Sequence, residues 1–174
     1  MEIQTENLRL KLQTRDETLA FIDALSPTER AEVSADWLAR VHELTEPNPW
    51  ALAFAVVHRA DANVIGSCGY YGPPDSDGSV EISYGIDADH RGKGYATEAA
   101  GGLVRYAFDD SRVRVVHAHT FEKTDASARV LTKCGFRLIG EVLNPTDGLV
   151  WRWQIHREKM AEQSGEPEPP MTGF

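Results

Sequence analysis

The segment His90-Arg91-Gly92-Lys93-Gly94-Tyr95-Ala96-Thr97-Glu98-Ala99 constrains this chain more than any other. A strand-like run, residues 80–86, precedes it and a helix-like run follows. Two glycines two residues apart remove the Cβ atoms that would hold a diphosphate off the backbone, and they permit left-handed dihedrals. Successive amides can then converge on one anion. A helix beginning there adds unsatisfied N–H groups and the positive end of its dipole, while Arg91 and Lys93 add side-chain charge. The segment reads as a cradle for an anionic ligand. An ATP-binding loop requires Gly-x-x-x-x-Gly-Lys-Ser/Thr, which does not occur around these glycines. A dinucleotide fingerprint requires a third glycine where Thr97 stands. Neither pattern fits.

Composition narrows the setting. A chain of 174 residues with 41% hydrophobic content is expected to make one domain with a real core. A formal net charge of -9 argues against general affinity for nucleic acid or anionic lipid, which needs a basic face. No apolar run reaches bilayer-spanning length, and Met1-Glu-Ile-Gln-Thr-Glu6 lacks the basic-then-apolar order of a signal peptide. A soluble, cytoplasmic protein is expected, with no membrane partner. Cys68 and Cys134 are too few and too far apart for a disulfide framework or a zinc site, so both are read as small hydrophobes and no metal is expected.

Along the chain, Leu8, Leu10 and Leu12 alternate with polar residues as in a half-buried strand. Helical spacing covers residues 15–25, and a second helix is predicted from 27 or 28 to 44. Residues 51–58, 64–71 and 80–87 read as three antiparallel strands separated by turn signals. A helix over 94–108, a strand over 114–121 and a helix over 125–134 follow, with Gly135 as left-handed stop. Two closing strands, 136–142 and 149–156, complete a domain over residues 1–157. Residues 158–174, rich in glycine and proline with little to bury, are predicted to be a disordered tail.

Several motifs in this order resemble one family, the GCN5-related N-acetyltransferases. The cradle matches its coenzyme A loop as Arg91-x-x-Gly94-x-Ala96 after the strand 80–86. Thr5-Glu-Asn-Leu-Arg-Leu-Lys-Leu12 is similar to the opening strand of the RimJ/RimL-like branch, Ile65-Gly66 and Gly69 to the strand before the cofactor strand, and Gly94-Tyr-Ala-Thr-Glu-Ala99 to that branch's loop and helix. Thr124-Asp-Ala-Ser127 through Lys133-Cys-Gly-Phe136 resembles the family's Asn-x-x-Ser helix ending in Gly-Phe. The match covers residues 5–156. It implies an α+β fold: a mostly antiparallel sheet of six to seven strands, splayed between the fourth and fifth, flanked by about four helices.

The resemblance also implies a chemistry: direct attack of a primary amine on the thioester of acetyl-CoA, through a tetrahedral oxyanion. Backbone amides of Gly92, Lys93, Gly94, Tyr95 and Ala96 would hold the diphosphate, helped by Arg91, and Tyr84 and Ile86 would pair with the pantetheine arm as a pseudo-strand. Glu81 is the first candidate for the base, because carboxylates on this strand serve that role in several branches. His119 is the second, since imidazole titrates in the useful range, and Asp147 is a weaker third. An N-terminal amine has a reference pKa near 8 against about 10.4 for lysine, so a strong base is not essential for every acceptor. Ser127 matches the serine that donates to the departing thiolate in RimL-like enzymes. One departure stands out: the family's usual Asn position is Thr124, a cofactor-binding candidate by its place in the motif, which can still cap the helix but lacks the amide that reaches pantetheine.

The acceptor site falls on the segments with least signal. Trp37, Trp50, Trp151 and Trp153 fit either a groove or the core, and Glu29, Glu32 and Asp36 either attract a cation or are solvated. The acceptor is open between a protein N-terminus and a small-molecule amine such as an amino sugar, amino acid or polyamine. A domain that binds acyl-CoA without turnover is the alternative. Monomer and homodimer are both compatible with the sequence.

Overall fold

The computed structural model describes residues 1–145 and 147–164. In chain order these form β1 (Glu2–Gln4), β2 (Leu8–Leu12), α1 (Arg15–Ala24), α2 (Pro27–Glu32), α3 (Ala35–Glu43), β3 (Phe54–His58), β4 (Val64–Tyr70), β5 (Ser79–Ile86), α4 (Tyr95–Asp109), β6 (Val115–Thr120), α5 (Ala126–Lys133), β7 (Arg137–Asn144), β8 (Gly148–His156) and α6 (Arg157–Ser164). The sheet order is β1-β2-β3-β4-β5-β6-β8-β7. Every neighbouring pair is antiparallel except β5 and β6.

The parallel pair carries the splay. Only Ser79, Val80 and Glu81 of β5 register with β6, opposite Val115, Val116 and His117. Beyond them β5 stays with β4, from Tyr70↔Ile82 to Gly66↔Ile86, and parts from β6. The splay expected between the fourth and fifth strands is therefore present, between what are β5 and β6.

Among the described residues there are eight strands and six helices, against six to seven and about four expected. The added strand is β1, whose three residues are too few to show a period-two pattern and which pairs with Arg9–Lys11 at the sheet edge. The helix expected through residue 44 breaks at Val33 and Ser34, because the Ser34 hydroxyl accepts from Trp37 N and caps α3 instead of lying inside one helix. The third difference lies in the predicted tail. Residues 158–164 belong to α6, since Arg157 anchors its first turn by donating to the carbonyls of Phe108, Asp110 and Val113 and lies over the Phe108 ring. The rest of that tail, residues 165–174, lies outside the described residues.

Leu8, Leu10 and Leu12 all turn to one face and are buried, each burial being worth about 2 kcal/mol. Helix α4 covers that face with Ala99, Ala100, Gly102, Leu103, Val104, Ala107 and Phe108. Small residues let it lie close: a Cβ on Gly102 would press on Leu10 Cδ1 at 3.1 Å. Its first turn is also tied down. The Glu98 carboxylate accepts from Thr5 Oγ1 at 2.5 Å, Asn7 N at 2.6 Å and Asn7 Nδ2 at 3.1 Å, which fixes where the helix begins.

Candidate active site

The start of α4 is built to be left open. Side chains of Thr14, Ser26, Ser34 and Asp125 cap α1, α2, α3 and α5, yet no side chain caps α4, whose N-cap is Gly94. Gly92 and Gly94 both adopt left-handed backbone, with φ of 77° and 83°, and a Cβ on either would meet nothing within 4 Å. First-turn N–H groups with no internal partner in a helix of 15 residues form an anion site. Arg91 donates from Nε to the Ile86 carbonyl at 2.9 Å, which ties the loop to the end of β5. Its terminal nitrogens make no hydrogen bond among the described residues.

A cleft of about 550 Å³ opens over this turn, lined on one side by β5 and on the other by α5. Glu81 and Asp87 direct backbone bonds at β4, through Tyr71 N→Glu81 O and Asp87 N→Ile65 O. Strand alternation then turns the amide groups of Tyr84 and Ile86 the other way, toward the edge that β6 vacates. The Tyr84 side chain crosses the cleft floor and donates from its hydroxyl to the Ser127 carbonyl at 3.2 Å. Burial pushes the Tyr84 phenol upward, so it stays protonated and a donor.

The opposite face of β5 carries the acidic site. Glu81 projects there, and the parallel register sets it against β6, where His117 and His119 share one face by alternation. The Glu81 carboxylate meets His119 Nδ1 at 2.7 Å and His117 Nε2 at 3.6 Å. Burial works to raise the Glu81 carboxyl, but the contacts with the two imidazoles outweigh it and hold the group below its ordinary value. Tyr71 stands within electrostatic reach of both Glu81 and Asp147.

Of the residues singled out from sequence, Tyr84, Ile86, Arg91, Gly92, Gly94, Tyr95, Ala96 and Ser127 line one cleft. Lys93 is exposed and Thr124 lies outside the lining; Asp125, not Thr124, caps α5, its carboxylate accepting from Ala128 N at 2.7 Å. Glu81 and His119 are brought together across the splay, while Asp147 sits exposed in the β7–β8 turn. Trp37, Trp50 and Trp153 are packing residues, Trp153 donating to Thr120 Oγ1, and Trp151 lies under the Lys123 ammonium. Burial pushes the Cys68 thiol up to about 12 and that of Cys134 to about 11, as suits packing side chains. Sequence reasoning missed Arg129 and Lys133, which line the cleft. Their i, i+4 spacing on α5 was the available signal. It also missed His117, whose two-residue offset from His119 puts both rings on one face.

A family profile described as "Acetyltransferase (GNAT) domain" matches residues 5–137. A Bacillus subtilis (strain 168) protein named uncharacterized N-acetyltransferase YjdG is 28% identical, the match covering 76% of this chain and 89% of that protein. Among solved structures, ribosomal-protein-S5-alanine acetyltransferase from Vibrio fischeri superposes with a TM-score of 0.68 at 17% identity, over 91% of this chain and 97% of that one. Aminoglycoside acetyltransferase AAC(6')-Ib, in complex with coenzyme A and kanamycin, does so with a TM-score of 0.66 at 22% identity, over 91% and 99%. Because the profile takes in the open helix start and both strands of the splay, the chain belongs to the GNAT acetyltransferase family.

Proposed function

We propose that the protein transfers an acetyl group from acetyl-CoA to a primary amine. The observation that carries this reading is the uncapped start of α4, with Gly92 and Gly94 in left-handed backbone, opening on a cleft whose floor is the unpaired edge of β5. Those residues fit the diphosphate and pantetheine of coenzyme A: amides of Gly92 to Ala96 face the first, amide groups of Tyr84 and Ile86 the second, and Arg91, Arg129 and Lys133 supply cationic charge. When bound, acetyl-CoA supplies an activated thioester. The chain's own groups then have three tasks. Backbone N–H near the splay polarises the carbonyl, Ser127 donates a proton where the thiolate departs, and the Glu81–imidazole pair on the opposite face receives the ammonium and takes its proton.

The acceptor is read as a cationic amine, drawn by Glu81 and Asp147. The neighbours act on different amines by their names, a ribosomal protein alanine in one case and aminoglycosides in the other. Likeness to the RimJ/RimL-like branch, carried by residues 5–12 and 94–99, favours an N-terminal amine. A thiol-release assay across peptides with varied N-termini, polyamines and amino sugars tests the reading. Release with a peptide panel supports it, release with amino sugars alone assigns a small-molecule acceptor, and tight acetyl-CoA binding without release overturns catalysis.

A further inference from the structure

Resting on the acetyl-transfer reading, we propose that His119 Nε2, not the Glu81 carboxylate, takes the proton from the acceptor amine, and that Glu81 is a positioning residue that fixes the His119 tautomer. The Glu81 carboxylate faces two rings of β6. One of its oxygens meets His119 Nδ1 at 2.7 Å and the other faces His117 Nε2 at 3.6 Å, so both are engaged by imidazoles. A carboxylate accepts and does not donate, so His119 Nδ1 carries a hydrogen, and in the neutral ring Nε2 then holds the lone pair. Among the described residues nothing hydrogen-bonds to that Nε2. His117 cannot take the same part: its Nε2 faces Glu81 and its Nδ1 is buried without a partner.

Position separates the two rings further. Register between β5 and β6 ends at Glu81↔His117, so His119, two residues on, stands where the strands have parted. The surrounding charges come from every neighbouring element: Glu81 from β5, His117 on β6 itself, and Arg152 from β8, which pairs with His119. Asp75 in the β4–β5 turn acts on His117 and Arg152, and Tyr71 lies within electrostatic reach of Glu81 and of Asp147. The contacts that hold the Glu81 carboxyl below its ordinary value also make it a poor proton acceptor near neutrality.

The step balances. An ammonium acceptor loses one proton to His119 Nε2, which passes it to solvent. The amine lone pair bonds to the acetyl carbonyl carbon, the carbon–sulfur bond breaks and its electron pair leaves on sulfur. A second N–H proton leaves the nitrogen for solvent, and the thiolate takes one from the Ser127 hydroxyl, which regains one from solvent. The net reaction is ammonium plus thioester to amide, thiol and one proton.

Two measurements test this. In the free protein, nitrogen-15 NMR of the imidazoles near neutral pH is expected to show His119 as the Nδ1–H tautomer, with Glu81→Ala converting it to the Nε2–H form. In turnover, His119→Ala is expected to lose about 100-fold in kcat/KM, and free imidazole to restore about tenfold, the range of a general base. Rescue by imidazole is a response that a merely structural ring would not give. An Nε2–H tautomer in the unmodified protein, or turnover of His119→Ala within threefold of the parent, overturns the assignment. Thiol release with an Nε2–H tautomer defeats this inference alone; the Nδ1–H tautomer with no release from any amine defeats the acetyl-transfer reading and this assignment with it.

Discussion

Gly94 is where the anion cradle can be tested most cleanly, because the geometry separates conformational cost from electrostatic cost. With φ at 83° and nothing within 4 Å of where a Cβ would sit, an alanine meets no clash. Gly94→Ala therefore loses only the left-handed penalty of an L-residue, about 1–2 kcal/mol. Each kcal/mol lowers the melting temperature of a chain this long by about 2–4 °C. Gly94→Glu carries the same penalty and adds a negative charge beside the diphosphate. At a separation of about 6 Å and an effective dielectric near 20, one pair of unit charges repels by about 3 kcal/mol. That corresponds to roughly a 100-fold loss of affinity. Calorimetric titration with coenzyme A on the parent and both variants, each checked by thermal melt, reads the difference. The Glu variant is expected to bind about 100-fold more weakly than the Ala variant at equal stability, with the gap narrowing as salt rises. A folded Glu variant that binds coenzyme A within tenfold of the Ala variant would refute the placement of the anion on this turn.

Three further perturbations probe separate parts of the molecule. Ser127→Ala is expected to lower kcat by about tenfold or more while leaving coenzyme A affinity intact, and unchanged kcat removes the hydroxyl from the reaction. In Gly66→Ala the new Cβ would overlap the Gly85 carbonyl, backbone that cannot swing aside, so the urea midpoint is expected to fall by the equivalent of about 2 kcal/mol or more. Glu98→Gln tests a pH dependence: partial burial works to raise this carboxyl, but the Thr5 and Asn7 hydrogen bonds outweigh it and hold it below 4.5. A depressed carboxyl stabilises the fold above its unfolded pKa, and that contribution is lost as pH falls through the folded value. The melting-temperature gap between parent and variant should thus be widest at pH 7 and shrink as pH falls through the depressed folded value, and a gap independent of pH would defeat the assignment.

Much of the fold was legible because its signals are local. Alternation over Leu8, Leu10 and Leu12 predicts a strand, Gly135 a helix stop, and the stop is seen at φ 89°. Boundaries failed where a short polar side chain competed for backbone, as at Ser34, or where a distant anchor stabilised a weak segment, as Arg157 does for α6. Within the site, cleft residues from loop and strand were legible, whereas Asp125 displaced Thr124 as the cap of α5 by a one-residue choice that propensity does not decide.

What the amino-acid order determined alone is the conformational vocabulary: paired glycines that admit left-handed backbone at 92 and 94, and a following helix with no capping side chain. Those preferences belong to single residues and their neighbours, so they can be read in one dimension. Only the tertiary structure decided that Glu81 meets His117 and His119, across 36 and 38 positions, since that contact depends on the register of a parallel strand pair. Register is a collective outcome of which faces of both strands are buried, so it cannot be read from either strand alone.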